Sequence, residues 1–393
     1  MDRINIGLFG FGTVGEGLWQ ALEKVDTGRA VIKKICIKNP DKGRSIPSTF
    51  FTVNPDDIFQ DDEINLIVEV IDDDKFAYDI VVRALNKGIS VVSGNKKMLA
   101  YHLPELIEMQ QKTGAALLYD ASACGSIPVI RNLEEYYDND LLISVKGILN
   151  GSSNFILSKI FNEKISYDTA LKMAQDLGFA ESNPTFDVDG FDALFKLVII
   201  TMHAFGEYVN PDKLLNFGIS NLSEDDIRFA REKDVRIKLV GQVEKLDDTN
   251  ITLFVLPQLI TRDKYIYSVE DEFNGVVIKG EFYYKQFMFG QGAGSKPTGS
   301  AVLSDITARF HDYRYEYKKY HRSTKFCYTE NHTIRVYLRY ESDSDLSLFN
   351  FSEITERYWS KEYKYVVGKI SLADLIRIKG ELRQRNLFLA AYP

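Results

Sequence analysis

Lys196 is the only charged side chain between Ala193 and Ile200 in the run "GFDALFKLVII", and Asp192 stands one helical turn before it. An ammonium group in so apolar a helix gives up hydration worth several kcal/mol unless an anion compensates it. The surrounding motif "GFAESNPTFDVDGFDALFKL" also carries Glu181, Asp187 and Asp189. Plainer readings exist for single members: Asp189 as the cap of the coming helix, Asp192 as a first-turn acid, Lys196 as a stem covering apolar surface. Upstream, "SVKGILNGSSNFILSKI" reads as a strand that stops at a polar turn before a helix. Asn150, Gly151, Ser152, Ser153 and Asn154 there supply hydrogen-bonding groups, and a turn with a helix cap explains them equally well.

A second constellation is glycine-rich. "RINIGLFGFGTVGEGLWQAL" places Gly10, Gly12 and Gly15 in G-x-G-x-x-G spacing between an apolar strand and a helix. The first glycine permits the tight turn, the second lets the backbone approach a pyrophosphate, and the third lets helix and strand pack closely. This predicts a dinucleotide site. The next strand, "AVIKKICI", ends at Lys38 beside Asn39, without the acid that often holds the ribose hydroxyls of NAD. Lys38, Lys42 and Arg44 offer positive charge to a 2'-phosphate, so NADP is permitted alongside NAD; a solvated basic loop is the even alternative. Lys96, in "SGNKK", falls in the first turn of a helix, where a cation opposes the helix dipole.

These groups need elements to hold them. "INLIVEVI" and "ISVVSGN" are each followed by a helical run, and such alternation predicts a doubly wound parallel sheet whose ligands bind beyond the carboxyl ends of its strands. Asp72 and Asp73 would lie there too. After "AALLYDASACGSIPVIRNL" the rhythm changes, and a second, α+β region begins. The stretch "FHDYRYEYKKYHRSTKFCY" alternates aromatic and charged residues and reads as a half-exposed strand. Beyond it "TIRVYLRY" reads as a strand and "SLADLIRIKGELRQRN" as a helix of a small appended α+β domain.

The chain of 393 residues carries 48 Lys plus Arg against 56 Asp plus Glu, a net charge of -8 that disfavours nucleic acid and anionic membrane and suits a small-molecule partner. Cys36, Cys124 and Cys327 are scattered and odd in number, which fits neither a disulfide framework nor a zinc site and points to a reducing, cytoplasmic setting. No apolar run approaches the length of a bilayer span.

Taken in order, the strings "GILNGSSNFIL", "GFAESNPTFDVDGFDALFKL", "GNKKMLA" and "GAGSKPTGSAVLSDI" resemble the homoserine dehydrogenase family over roughly residues 1 to 310. The resemblance implies an α/β protein: an N-terminal Rossmann-type doubly wound parallel sheet over 1–132, completed by 292–310, a central α+β substrate and dimerisation domain over 133–291, and a small C-terminal α+β domain over 311–393, read as a shortened regulatory domain. It implies interconversion of L-homoserine and L-aspartate 4-semialdehyde with NADP or NAD, in a homodimer. Carried over, it makes Lys196 the proton-transfer group, with Lys96 near nicotinamide and substrate. It gives Glu181, Asp187, Asp192, Asn150, Gly151 and Ser152 to the substrate. Gly10, Phe11, Gly12, Thr13, Val14, Gly15, Lys38, Asp72, Ser93, Gly178, Gly292, Gly294 and Thr298 go to the cofactor. A sodium ion is implied at Asp120, Ala123, Gly125 and Ile127, although Asp120 replaces the family's longer glutamate. Asp72 and Asp73 replace a small, glycine-rich loop, Asn183 a common aspartate and Gln291 a common proline. Two other readings stay open: another nicotinamide-dependent amino-acid dehydrogenase, and a non-catalytic nucleotide-binding regulator with no use for Lys196.

Overall fold

The computed structural model describes residues 3–25, 28–139 and 141–392. The chain divides into two compact units, Met1–Tyr136 with Gln291–Lys318, and Tyr137–Gly290 with Lys319–Pro393.

The first unit is built on β1 (Ile4–Phe9), β2 (Ala30–Cys36), β3 (Phe51–Thr52), β4 (Leu66–Glu69), β5 (Ser90–Ser93) and β6 (Leu117–Leu118). They form one sheet in the order β3-β2-β1-β4-β5-β6 with every pair parallel. That is the expected doubly wound arrangement, with the crevice beyond β1 and β4 where the strand order reverses. Its strands are buried on both faces, as Ile4, Ile6, Leu8, Ile67, Val68, Val91 and Val92 show. The helices are α1 (Thr13–Lys24), α2 (Asp56–Phe59), α3 (Asp74–Asn86), α4 (Lys96–Thr113), α5 (Val129–Glu135) and, from the later segment, α11 (Ser295–Arg309). A Cβ on Gly17 would stand 1.9 Å from the Ser295 carbonyl oxygen, so α11 can seat on α1 only at a glycine.

Apart from its last two residues, Cys327–Tyr328, the aromatic and charged stretch is not the expected strand among the described residues. Tyr315 and Tyr317 are buried between exposed Arg314 and Glu316, so the period of two is present, but no ladder forms there. Side chains take the ladder's place: Gln110 Nε2 donates to the Tyr315 carbonyl (2.8 Å), and the Tyr317 amide donates to Glu134 Oε1 (2.6 Å).

The second unit contains α6 (Gly151–Glu163), α7 (Tyr167–Asp176), α8 (Thr185–Val188), α9 (Phe191–Phe205) and α10 (Glu224–Glu232). Its central strands are β7 (Leu142–Ile148), β8 (Arg236–Lys245), β9 (Asn250–Ile260), β10 (Phe273–Gly280), β11 (Tyr284–Gln291) and the short β12 (Cys327–Tyr328). The chain ends in β13 (Thr333–Arg339), α12 (Asp343–Leu346), β14 (Phe351–Trp359), β15 (Lys364–Ser371), α13 (Leu372–Leu382) and β16 (Phe388–Ala391). This βαββαβ tail, with strand order β16-β13-β15-β14, is the ferredoxin-like arrangement. A parallel pairing of Ala391 with Gln258 joins its sheet to β9, giving one ten-stranded sheet in the order β11-β10-β7-β8-β9-β16-β13-β15-β14, with β12 on β9.

Candidate active site

In the second unit the acid and lysine motif folds onto itself. Helix α9 presents Asp192 and Lys196 on one side, and both are buried, with 3 % and 6 % of their surface exposed. Lys196 Nζ donates to Asp192 Oδ2 (2.7 Å) and to the Leu149 carbonyl (2.8 Å). Its third N–H has no partner among the described residues, so one direction of the ammonium tetrahedron remains for a substrate oxygen. Asn150 joins the same cluster: Nδ2 donates to Asp192 Oδ2 (2.9 Å) and Asp187 Oδ1 (2.7 Å), while Oδ1 accepts from the Ser153 amide (2.8 Å) as the cap of α6. The capping and functional readings of Asn150 are therefore compatible, because one end of the amide serves each.

The polar turn divides its labour. Asn154 Nδ2 donates to the carbonyls of Val269, Asp271 and Phe273, and Ser152 Oγ donates to the Phe179 carbonyl. Gly151 is required by packing, since a Cβ there would stand 2.5 Å from the Glu272 carbonyl oxygen. Glu181 is exposed, and no described contact joins it to the cluster. Gly178 lies in the turn after α7 with φ +77°. Asp189 does not cap α9 as expected. Gly190, at φ +80°, precedes the helix instead, and the Asp189 carboxylate accepts from Ser220 Oγ. A left-handed residue at that point turns the preceding side chain away from the helix end.

In the first unit each glycine of the opening motif has the expected geometry. Gly10 has φ +98°, a Cβ on Gly15 would stand 2.3 Å from the Gly10 carbonyl oxygen, and Gly12 faces open space at the N-terminus of α1. Phe11, Gly12, Thr13, Glu16, Lys42, Gly43, Arg44 and Ser45 line a cavity of about 460 Å³. A dinucleotide fits these residues: the N-terminal N–H groups of α1 would face a pyrophosphate, and Lys42 and Arg44 border the cavity. Arg44 donates to the carbonyls of Lys42 (2.7 Å) and Asn39 (2.6 Å) and stacks 4.9 Å over the Phe51 ring, pinning the basic loop. Lys38 is exposed just after β2, and Val14 is half-buried in the first turn of α1. Gly292 packs against Gly125, whereas Gly294 (φ +118°) and Thr298 form the start of α11. Asp72 is exposed, and Asp73 is occupied as the cap of α3, accepting from the amides of Lys75 (3.1 Å) and Phe76 (2.9 Å).

Glu69 went unremarked in the sequence, although an acid inside the apolar strand "INLIVEVI" is the same kind of signal as Lys196. It is fully buried at the end of β4, where it accepts from Ser93 Oγ (2.6 Å) and the Ile71 amide (2.8 Å). Asn95 then bridges the two loops: its backbone amide donates to Ser93 Oγ, its Nδ2 donates to the Ile71 carbonyl, and its Oδ1 caps α4 directly before Lys96. Burial raises the Glu69 carboxyl from its ordinary 4.5 to about 7, against the lowering effect of its hydrogen bonds to Ser93 and Ile71. The folded protein thus keeps a proton that the unfolded chain releases, and stability falls as pH rises from 4.5 to about 7. Glu69→Gln keeps an acceptor for the Ile71 amide and turns the Ser93 bond round, its amide N–H donating to Ser93 Oγ, without the charge. Its gain in melting temperature over wild type is expected to grow across that window and level off above it, reaching the equivalent of about 3 kcal/mol.

The implied cation site is a poor match. Asp120 Oδ1 accepts the amides of Ile130 (2.9 Å) and Arg131 (3.1 Å) at the start of α5, so this shorter side chain is committed to the helix. The Ile127 carbonyl accepts the Val129 amide, and Ala123 and Gly125 flank Cys124 in a turn where Cys124 and Gly125 are left-handed.

Residues 10–120 match the family model for the NAD-binding domain of homoserine dehydrogenase, and residues 128–307 match the homoserine dehydrogenase model. A homoserine dehydrogenase of Bacillus subtilis (strain 168) is 35% identical over 317 residues, which cover 78% of this chain and 73% of that protein. The crystal structure of a homoserine dehydrogenase from Thiobacillus denitrificans aligns with a TM-score of 0.84 at 29% identity, covering 100% of this chain and 98% of that one. A hyperthermophilic archaeal homoserine dehydrogenase mutant in complex with NADPH aligns with a TM-score of 0.67 at 26% identity, covering 80% of this chain and 99% of its own.

Proposed function

Because this chain belongs to the homoserine dehydrogenase family, NAD(P)-dependent oxidoreductases that interconvert L-homoserine and L-aspartate 4-semialdehyde, we propose that Lys196 moves the proton at the substrate's C4 oxygen. The buried Lys196–Asp192 pair with its third N–H unspent is the observation that carries this reading. When bound, the nicotinamide supplies or accepts the hydride at C4. In the reducing direction Lys196 gives the aldehyde oxygen its proton as the hydride arrives; in the oxidising direction the amine takes it back from the hydroxyl. Asp192 holds the ammonium in place, and Asp187 with Asn150 extends the anionic, hydrogen-bonding wall toward the substrate's own ammonium group. Glu181, Gly151 and Ser152 complete the proposed substrate set, with Glu181 supplying a further carboxylate from its exposed loop.

For the cofactor, the proposed contacts are Gly10 to Gly15 at the pyrophosphate, with Asp72, Ser93, Lys96, Gly178, Gly292, Gly294 and Thr298 around the remainder. We propose NADP as the preferred form. Lys38 and Asn39 follow β2 where a ribose acid often stands, Lys42 and Arg44 line the cavity, and the archaeal relative is a complex with NADPH. Mixing the purified protein with homoserine and either nucleotide, and following the absorbance of the reduced nicotinamide, tests both points. Turnover with homoserine, faster with NADP, is expected, and Arg44→Ala should cost about tenfold in kcat/KM with NADP and little with NAD. Absence of turnover with both nucleotides in both directions would overturn the reading.

A homodimer is proposed on the edge strand β11, where Tyr284 and Phe289 are exposed and Phe282 stands beside them, an aromatic edge suited to a second copy. Sedimentation velocity measures it. A cytoplasmic location is proposed because no disulfide joins the described cysteines. No helix among the described residues is long and apolar enough to cross a membrane.

A further inference from the structure

Helix α9 starts without a side-chain cap. Gly190 precedes it in the left-handed region, and only two residues later Asp192 must meet Lys196 and Asn150. A helix start with no capping side chain is free to fray or shift by a fraction of a turn unless something outside it fixes the entry. In this protein the outside support comes from the C-terminal βαββαβ element.

Arg383, directly after α13, places its guanidinium 4.6 Å from the centre of the Phe191 ring, the first residue of α9. The same guanidinium donates through Nη2 to Asn216 Oδ1 (2.6 Å) and to the Asn216 carbonyl (3.2 Å). Asn216 Nδ2 in turn donates to the Asp189 carbonyl (3.0 Å), immediately before the left-handed glycine. Two routes therefore run from one arginine to the two sides of Gly190. The intervening segment has little freedom of its own. A Cβ on Gly218 would lie 1.9 Å from the Val188 carbonyl oxygen, and the Ile219 amide donates to that oxygen (2.7 Å). Lys379, one turn earlier on α13, donates to the carbonyls of Asp212 and Leu214 and holds the segment from its other end.

We propose that Arg383 is a positioning residue for the substrate helix: through Phe191 and Asn216, the C-terminal element fixes where α9 begins and so where Asp192 and Lys196 stand. The inference rests on the proposed role of that pair. Planar stacking combined with a forked hydrogen bond is a task for arginine, and lysine reproduces only the charge and one donor. The tail thereby acquires a part in substrate binding although none of its residues is asked to touch the substrate.

The test uses the full chain. Arg383→Met is expected to raise the KM for homoserine about tenfold, leave the KM for NADP within about twofold and lower kcat by less than about threefold. Arg383→Lys should recover part of the homoserine KM. Asn216→Ala combined with Arg383→Met should be no worse than the more severe single variant, because both break the same relay. Amide exchange over Phe191–Phe195 is expected to quicken in Arg383→Met, a readout that needs no turnover. Should the wild-type protein fail to oxidise homoserine, the catalytic reading fails while the exchange measurement still judges the brace. An unchanged homoserine KM with unchanged exchange would overturn the proposal, as would multiplying effects in the double variant or an equal rise in both KM values.

Discussion

Lys196→Met is expected to lower kcat and kcat/KM together by about a thousandfold, within the range that positioned proton transfer contributes. Hydride transfer to an aldehyde leaves charge on oxygen unless a proton arrives, and the Lys196 ammonium has an N–H that none of its described partners takes. Affinity for NADP should be unchanged, since the glycine motif and the basic loop lie in the other unit. The substitution also strands Asp192 in a dry setting, so some loss of stability will accompany it. Combining it with Asp192→Asn separates the two effects. The double variant carries neither charge and should melt near the wild-type temperature while remaining inactive.

Asp192→Ala should damage both the fold and the substrate site. The carboxylate is the only charged partner described for Lys196, and it also receives Asn150. Removing it leaves a buried ammonium with only a carbonyl, at a cost of about 3–5 kcal/mol in urea unfolding. Asp192→Asn, which keeps an acceptor for Lys196, should cost less. In both variants the KM for homoserine is expected to rise by about tenfold or more, because the anion proposed for the substrate's ammonium group is lost. Equal KM values in Asp192→Asn and wild type would separate this residue from substrate binding and leave it a purely structural partner.

The parts of the molecule that were legible in the sequence share a physical trait: their geometry is local. Gly10, Gly12 and Gly15 carry their requirements in the backbone of one strand and helix junction, and the structure has a left-handed turn, an open face and a close contact in that order. Asp192 and Lys196 could be paired on paper because residues four apart share a helix face. Asn150 was readable as a cap for the same reason.

What was missed depends on distant chain. The Leu149 carbonyl that orients Lys196 comes from the end of another strand, and Arg383 reaches Asn216 and Phe191 from the last helix. Asp189 was misjudged because the alternative, a left-handed Gly190, sits where an added Cβ would press on Val255, Phe217 and Leu239, all distant in the chain. The tyrosines at 315 and 317 alternate as a strand would, yet their backbone is satisfied by Gln110 and Glu134, something no window of neighbouring residues contains. Glu69, by contrast, was local and visible; an acid in an apolar strand warranted the same question as a lysine in an apolar helix.

The central claim is that the Lys196 amine itself carries the proton, and amine rescue tests it most directly. Turnover of Lys196→Ala would be followed at saturating homoserine and NADP while small alkylamines of graded basicity are added. The account predicts a nearly inactive protein whose rate climbs with amine concentration and depends on amine basicity. A Lys196→Ala protein that turns over like wild type before any amine is added would contradict it.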